Sequence, residues 1–291
     1  MDTLHALLIA PFADFEFMRR ALVGAVALAL AAAPVGVMLM LRRMSLTGDA
    51  MSHAILPGAA VGYLLSGLSL TAMTVGGLVA GVVVAVAAGA VARNSRLGED
   101  VSLAAFYLTS LALGVTIVSL KGSNVDLLHV LFGTVLALDD DALILIAAIS
   151  TLTLVAFATI VRPLVLDSID PGFLRAVGGR TGAAVHLVFM GVVVLNLVGG
   201  FHALGTLMAV GLMMLPAAGA RLWVDDLTAL VVTASAIGVA SAAVGLLVSY
   251  HLSLPAGPAI VLTAGAIWFA SLVFGRRGLL ADRLGRRHLE A

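Results

Sequence analysis

The chain has 291 residues, of which 62% are hydrophobic and 11% charged, with sixteen basic side chains balanced by sixteen acidic ones. A mean hydropathy of +1.15 excludes a soluble domain: a hydrocarbon core about 30 Å thick takes about 20 apolar residues per crossing, and nearly all of the chain divides into such lengths. The lack of cysteine excludes disulfides, thiolate ligands and thiol redox chemistry, and the single lysine, Lys121, lacks the glycine spacing of a phosphate-binding loop, so nucleotide chemistry has to come from a partner.

The N-terminus does not have the order of a signal peptide, because Asp14 and Glu16 interrupt its apolar start. Nine apolar segments follow, Ala21–Leu41, Gly48–Leu65, Leu70–Val91, Val101–Leu120, Ala142–Val161, Gly182–Val198, His202–Ala220, Leu227–Val248 and Pro255–Phe274. They predict an all-α polytopic membrane protein of about 8–9 transmembrane helices. The expected organisation is a single transmembrane domain over 1–291, with a membrane core at 21–274. Alternate loops hold thirteen basic residues (Arg42, Arg43, Arg93, Arg96, Arg162, Arg175, Arg180, Arg221, Arg276, Arg277, Arg283, Arg286 and Arg287) against three (Arg19, Arg20 and Lys121). The positive-inside rule then places the C-terminus in the cytoplasm and the N-terminus outside. Eight crossings result if one weak segment is re-entrant. Pro57 and Pro216 inside apolar segments predict kinks.

In the second segment, Gly48-Asp49-Ala50-Met51-Ser52-His53 sets a carboxylate and an imidazole four positions apart. Residues i and i+4 share a helix face. A carboxylate at mid-membrane costs about 2.5–3.5 kcal/mol on insertion scales, so such a residue lines an internal path or site. Carboxylate with imidazole suits a borderline divalent ion, zinc or manganese. A structural hydrogen-bonded pair between packed helices is the alternative. Further on, Asn124–Leu138 holds an apolar stretch too short to cross and reads as a half-helix or re-entrant piece on the outer side. The loop 162–181 contains Asp170-Pro171-Gly172-Phe173-Leu174-Arg175-Ala176-Val177-Gly178, in which Asp at the N-cap, Pro at the first helical position and a closing Gly predict a short cytoplasmic helix.

The run Arg42-Arg43-Met44-Ser45-Leu46-Thr47-Gly48-Asp49-Ala50-Met51-Ser52-His53-Ala54 resembles the signature of ABC-type zinc/manganese permeases, the ABC-3 family. Matches continue in the family's order: Asp126-Leu127-Leu128 with Leu131-Phe132-Gly133, Asp170-Pro171 to Gly178, Gly205 with Leu215-Pro216-Ala217-Ala218, and Ser249-Tyr250 with Leu254-Pro255-Ala256-Gly257-Pro258. The resemblance implies a fold similar to the cobalamin- and siderophore-type (type II) importer permeases. It also implies a homodimeric transmembrane subunit, two cytoplasmic ATPase subunits that use the ATP, and an extracytoplasmic metal-binding protein. The chain itself would then be no enzyme and hold no intrinsic cofactor; its surroundings are a bacterial inner membrane, and no nucleic acid is a partner. Asp49 and His53 match the family's translocation-path residues, and Asp170, Pro171, Phe173, Leu174 and Gly178 its coupling helix. Two copies of the pair could supply four transient ligands.

His129, His202 and Asp126 are further candidates for outer-side contacts with the ion, although His129 and His202 stand at positions that vary in the family and, like His251, read more simply as residues of the membrane interface. Asp139, Asp140 and Asp141 read as a solvated acidic loop or a cation attractor; Arg19 and Arg20 as partners of lipid phosphates or of a docking protein. His186 reads as structural. Imidazole ligands favour zinc as cargo, with manganese next. A stand-alone proton-coupled metal transporter using Asp49 and His53 is the competing function. An intramembrane enzyme lacks support, since no His-Glu-x-x-His pattern is present.

Overall fold

A computed structural model of the chain describes residues 5, 7–67, 69–96, 98–120, 138–170 and 181–280. Among these residues the regular structure is helical throughout: α1 (Ala10–Asp14), α2 (Glu16–Leu41), α3 (Thr47–Ala54), α4 (Leu56–Ser66), α5 (Leu70–Asn94), α6 (Glu99–Leu120), α7 (Asp140–Ile169), α8 (Thr181–Leu204), α9 (Thr206–Ala220), α10 (Leu227–Leu252) and α11 (Ala256–Phe274). Six of the described helices are long and apolar enough to cross a membrane, and the stretches Val101–Ile117 and Thr206–Ala220 are shorter apolar helices. In lipid each backbone amide must find its partner within the segment, which is why apolar runs of this length become helices. Ser69, Asp139 and Asp226 cap α5, α7 and α10 by accepting from the amides of Ala72, Ala142 and Ala229. The acidic run at 139–141 thus starts α7, where negative charge meets the positive end of the helix dipole.

α2 is the central post. It packs against α7, α8, α9 and α10, and Ala31, Ala32, Ala33, Val35 and Val37 are fully buried. The hairpin α4–α5 and helix α6 pack on one another and reach the rest through α3 and α8, while the hairpin α10–α11 packs on α9 and, through α10, on α2. One cluster joins Met38, Leu39, Met51, Ile55, Phe189 and Met213; a second joins Met18, Leu28, Ile146, Met208, Leu246 and Ile260. Beside the first, α2 and α9 approach closely: a Cβ at Gly36 would lie 1.8 Å from the carbonyl oxygen of Met213. Small residues at such crossings let backbones meet where no hydrophobic force drives helices together. Outward faces remain apolar, as at Ile144, Leu262 and Phe269, which suits contact with lipid.

Three expectations shift. The segment Gly48–Leu65 is two helices, broken at Ile55 with Pro57 in the first turn of α4, so the proline starts a helix instead of kinking one. α7 does not stop at Val161 but runs through Pro163 to Ile169, which shortens the cytoplasmic loop placed at 162–181 by eight residues. Pro163 removes one backbone donor, while Leu164 in the next position is fully buried and holds the helix down. The boundary placed at His202 lies four residues later: α8 continues to Leu204, and the chain breaks at Gly205, whose φ of 86° disfavours a side chain. Arg19 and Arg20 find partners within the chain. Arg20 pairs with Glu16 at 2.7 Å and with Asp140 at 3.0 Å, and Arg19 donates to the carbonyl of Ala13 at 2.7 Å.

Candidate functional site

The site begins with a tight turn. After α2 ends, Arg43 takes the left-handed conformation (φ 61°), and the amide of Met44 donates back to Leu39 at 2.8 Å. This reverses the chain and delivers α3 onto the core. Gly48 faces the Met213 side chain so closely that a Cβ there would come within 2.6 Å of its methyl. Ala50, Met51, Ser52 and Ala54 are buried, and the Ser110 hydroxyl of α6 donates to the Ala54 carbonyl at 3.0 Å. With every other face of α3 committed, Asp49 and His53 share the remaining one.

The two side chains do meet. His53 Nε2 lies 3.8 Å from Asp49 Oδ1, too long for a hydrogen bond. The Asp49 side chain is 63% exposed, that of His53 30%. Asp49 lines a cleft of about 170 Å³ with Leu46, Thr47, Ala50, Leu103, Ala104 and Tyr107. The Tyr107 ring stacks beside the imidazole, 6.2 Å between centroids. His53 Nδ1 is buried with no hydrogen-bond partner. Resident metal sites fix the second ring nitrogen of a ligating histidine with an acceptor, and no described group fills that place at His53. Among the described residues no cluster of three or more His, Asp or Glu side chains is arranged to hold a metal. Among the described residues, α3 brings together one carboxylate and one imidazole, from Asp49 and His53.

The other nominated residues scatter. His251 Nε2 hydrogen-bonds the Leu7 carbonyl at 2.9 Å, with Tyr250 beside its ring, on the N-terminal arm and away from α3. His186 Nδ1 lies 3.4 Å from Arg42 Nη2. Asp170 closes α7 as its C-cap, its amide donating to Leu166 at 2.9 Å. Asp126, His129, Pro171, Phe173, Leu174 and Gly178 lie outside the described residues, as does the side chain of His202 in the last turn of α8. Sequence reasoning missed Tyr107, whose only signal is its place on an apolar helix, and Asp167, which pairs with Arg42 at 2.9 Å. The i, i+4 spacing found the pair on α3; no spacing rule links residues 125 positions apart.

Residues 14–275, which include the whole of this site, match the ABC 3 transport family. The chain belongs to that family. The manganese transport system membrane protein MntC of Listeria monocytogenes is 33% identical over 273 residues, covering 93% of this chain and 95% of that relative. A solved structure of PsaBC from Streptococcus pneumoniae in complex with Fab contains a chain 30% identical, superposing with a TM-score of 0.80 over 93% of this chain and 97% of that one. A transporter assigned to the metal-chelate ABC type, solved inward-facing, shares the fold at TM-score 0.66 and 16% identity, over 87% of this chain and 84% of that one. The type II importer architecture expected from the motifs is thus the fold of this permease. It is a multi-pass permease subunit of a bacterial ABC importer for divalent metal, and ATP hydrolysis belongs to a separate subunit. An ABC permease of this kind works with that ATPase and with a solute-binding protein.

Proposed function

We propose that two copies of the permease enclose a path for a divalent transition-metal ion, that Asp49 and His53 of each copy are its transient ligands, and that manganese is preferred over zinc. The carrying observation is the carboxylate left 63% exposed on α3 while the other faces of that helix are packed. Facing lipid, it would cost a few kcal/mol; facing a second copy across a two-fold axis, it becomes half of a four-ligand set. A pair of oxygen and nitrogen ligands without a fixed outer shell binds well enough to strip water and weakly enough to release. Family membership in an ATP-driven class removes the stand-alone proton-coupled transporter from consideration.

The cysteine-free sequence offers a direct test. A single cysteine at Ala104, on the cleft wall, should cross-link two copies with a short bis-maleimide, and divalent metal should slow the reaction. A band that stays monomeric, at full labelling by a monofunctional maleimide, overturns the shared path.

The preference for manganese reverses the sequence expectation of zinc. That expectation leaned on histidines near outer helix ends, of which His251 is engaged with the N-terminal arm. Relatives with similar identity are named for manganese import, and carboxylate ligands suit manganese better than extra imidazoles would. Uptake with equal free manganese and zinc should favour manganese; a zinc preference refutes the assignment.

The remaining parts follow from the family's division of labour and the charge pattern. The N-terminus lies outside, the C-terminus in the cytoplasm, a metal-loaded binding protein docks outside, and two ATPase subunits dock where the chain leaves α7, at Asp170, Pro171, Phe173, Leu174 and Gly178. Gly178→Trp is expected to reduce co-purification of the ATPase several-fold while the membrane dimer persists on size-exclusion chromatography. Unchanged co-purification and uptake would place the docking segment elsewhere. Asp126, His129 and His202 remain candidates for contacts at the outer opening, to be read by alanine substitution and apparent metal affinity.

A further inference from the structure

One buried ion pair stands between the helix that carries Asp49 and His53 and the helix that leads into the segment proposed to meet the ATPase. Arg42 is the C-cap of α2, five residues before α3. Its Nη2 donates to Asp167 Oδ2 at 2.9 Å and lies 3.4 Å from His186 Nδ1. The guanidinium sits over the Phe189 ring, 5.8 Å from its centroid. Only 12% of the Arg42 side chain and 13% of that of Asp167 are exposed. Asp167 belongs to the extension of α7 beyond Pro163, three residues before the end cap Asp170. Three helices, α2, α7 and α8, therefore converge on one cation.

The pairing is half made. Arg42 Nη1 is buried and has no hydrogen-bond partner. A guanidinium presents a fork that matches both oxygens of a carboxylate, and the two-armed pair is the stronger form. A buried donor on a cation left without acceptor carries a desolvation penalty. The present arrangement thus favours a small displacement that brings the second arm into use. The chain supplies a place for it: Pro163 has no amide to donate to Thr159, so α7 beyond that point is held less firmly to its own axis. At the other end, the tight turn from Arg42 to Met44 joins the cation to α3 with little slack.

We propose that Arg42 is a positioning residue for transport, a one-armed latch on Asp167 in this conformation and a two-armed latch in another, so that the end of α7 and the metal-bearing helix α3 change position together. Packed interfaces move between discrete arrangements, and a forked ion pair gives two such states distinct energies. The proposal rests on the reading of Asp49, His53 and the segment after Asp170 given above, and adds the link between them.

The decisive variant is Arg42→Lys in the complete transporter, reconstituted in proteoliposomes with its ATPase and with manganese-loaded binding protein. Lysine keeps the charge and one bond but cannot fork. ATPase co-purification should be unchanged, while metal carried per ATP falls roughly tenfold, as for loss of one charge-assisted hydrogen bond. Asp167→Asn should behave likewise, and Asp167→Glu should keep most of the coupling. Spin labels at the exposed Leu46 and Ile169 should change separation on ATP binding in the wild type and not in Arg42→Lys. Wild-type stoichiometry in Arg42→Lys, or no change in label separation in the wild type, overturns the latch. Asp49→Asn in the same preparation reports separately on the path. If it transports as wild type, the path reading fails, and the label separations still decide on Arg42.

Discussion

Asp49→Asn is expected to lower metal uptake roughly a hundredfold or more, since even the partners behind a metal ligand are worth 10–100-fold. The substitution keeps the shape of the side chain and removes only its charge. Folding should survive it, because the carboxylate is largely exposed and the His53 imidazole lies 3.8 Å away, beyond a hydrogen bond. Asparagine in its place is cheaper in lipid than aspartate, so the variant should be no less abundant in the membrane. His53→Ala should reach a similar loss by removing the nitrogen ligand, and basal ATP hydrolysis should continue in both. Uptake of radioactive manganese into proteoliposomes, alongside ATPase turnover, separates lost transport from lost assembly. Wild-type uptake by either variant shows that the ion takes another route.

Gly36→Ala is expected to be strongly destabilising for the addition of a single methyl. A Cβ at that point would lie 1.8 Å from the Met213 carbonyl oxygen and 2.7 Å from its carbon, both backbone atoms that cannot rotate aside. Either α2 or α9 must retreat, and α2 also carries the contacts to α7, α8 and α10. Overpacking of a tight core costs about 1–3 kcal/mol and occasionally more; here the upper end applies, a large share of the roughly 5–15 kcal/mol that stabilises a folded protein. Gly191→Ala is the control. No atom lies within 4 Å of a Cβ there, and alanine in a helix interior should add about 0.5–1 kcal/mol. The melting temperatures of the two detergent-purified variants should move in opposite directions; equal stability of Gly36→Ala and wild type would show that the helices separate at little cost.

Much of this was legible in the chain because lipid leaves a segment few options. The apolar runs from Leu70, Leu227 and Pro255 begin within a residue of α5, α10 and α11, since a run of that length has to satisfy its backbone alone. The α3 pair was legible because helical spacing is local. Interruptions were harder. Pro57 and Pro163 carry the same missing amide, yet one opens a helix and the other lies within one; burial of Leu164 decides the second case, and burial is set by helices far away in sequence. Arg42 looked like one more inner-side positive charge, and Asp167 like part of a loop. Their pairing depends on α7 continuing to Ile169, which the proline concealed.

On the proposed reading the functional unit is a pair of copies, each carrying half a ligand set on α3, and that has a consequence for inheritance. With the functional unit a pair, a cell expressing wild-type and Asp49→Asn alleles equally would assemble only about one pair in four from two intact copies. The altered allele would then be dominant, and its severity would grow with its expression. An added wild-type gene would rescue growth on scarce metal by degrees, because the share of intact pairs rises with the square of the wild-type fraction.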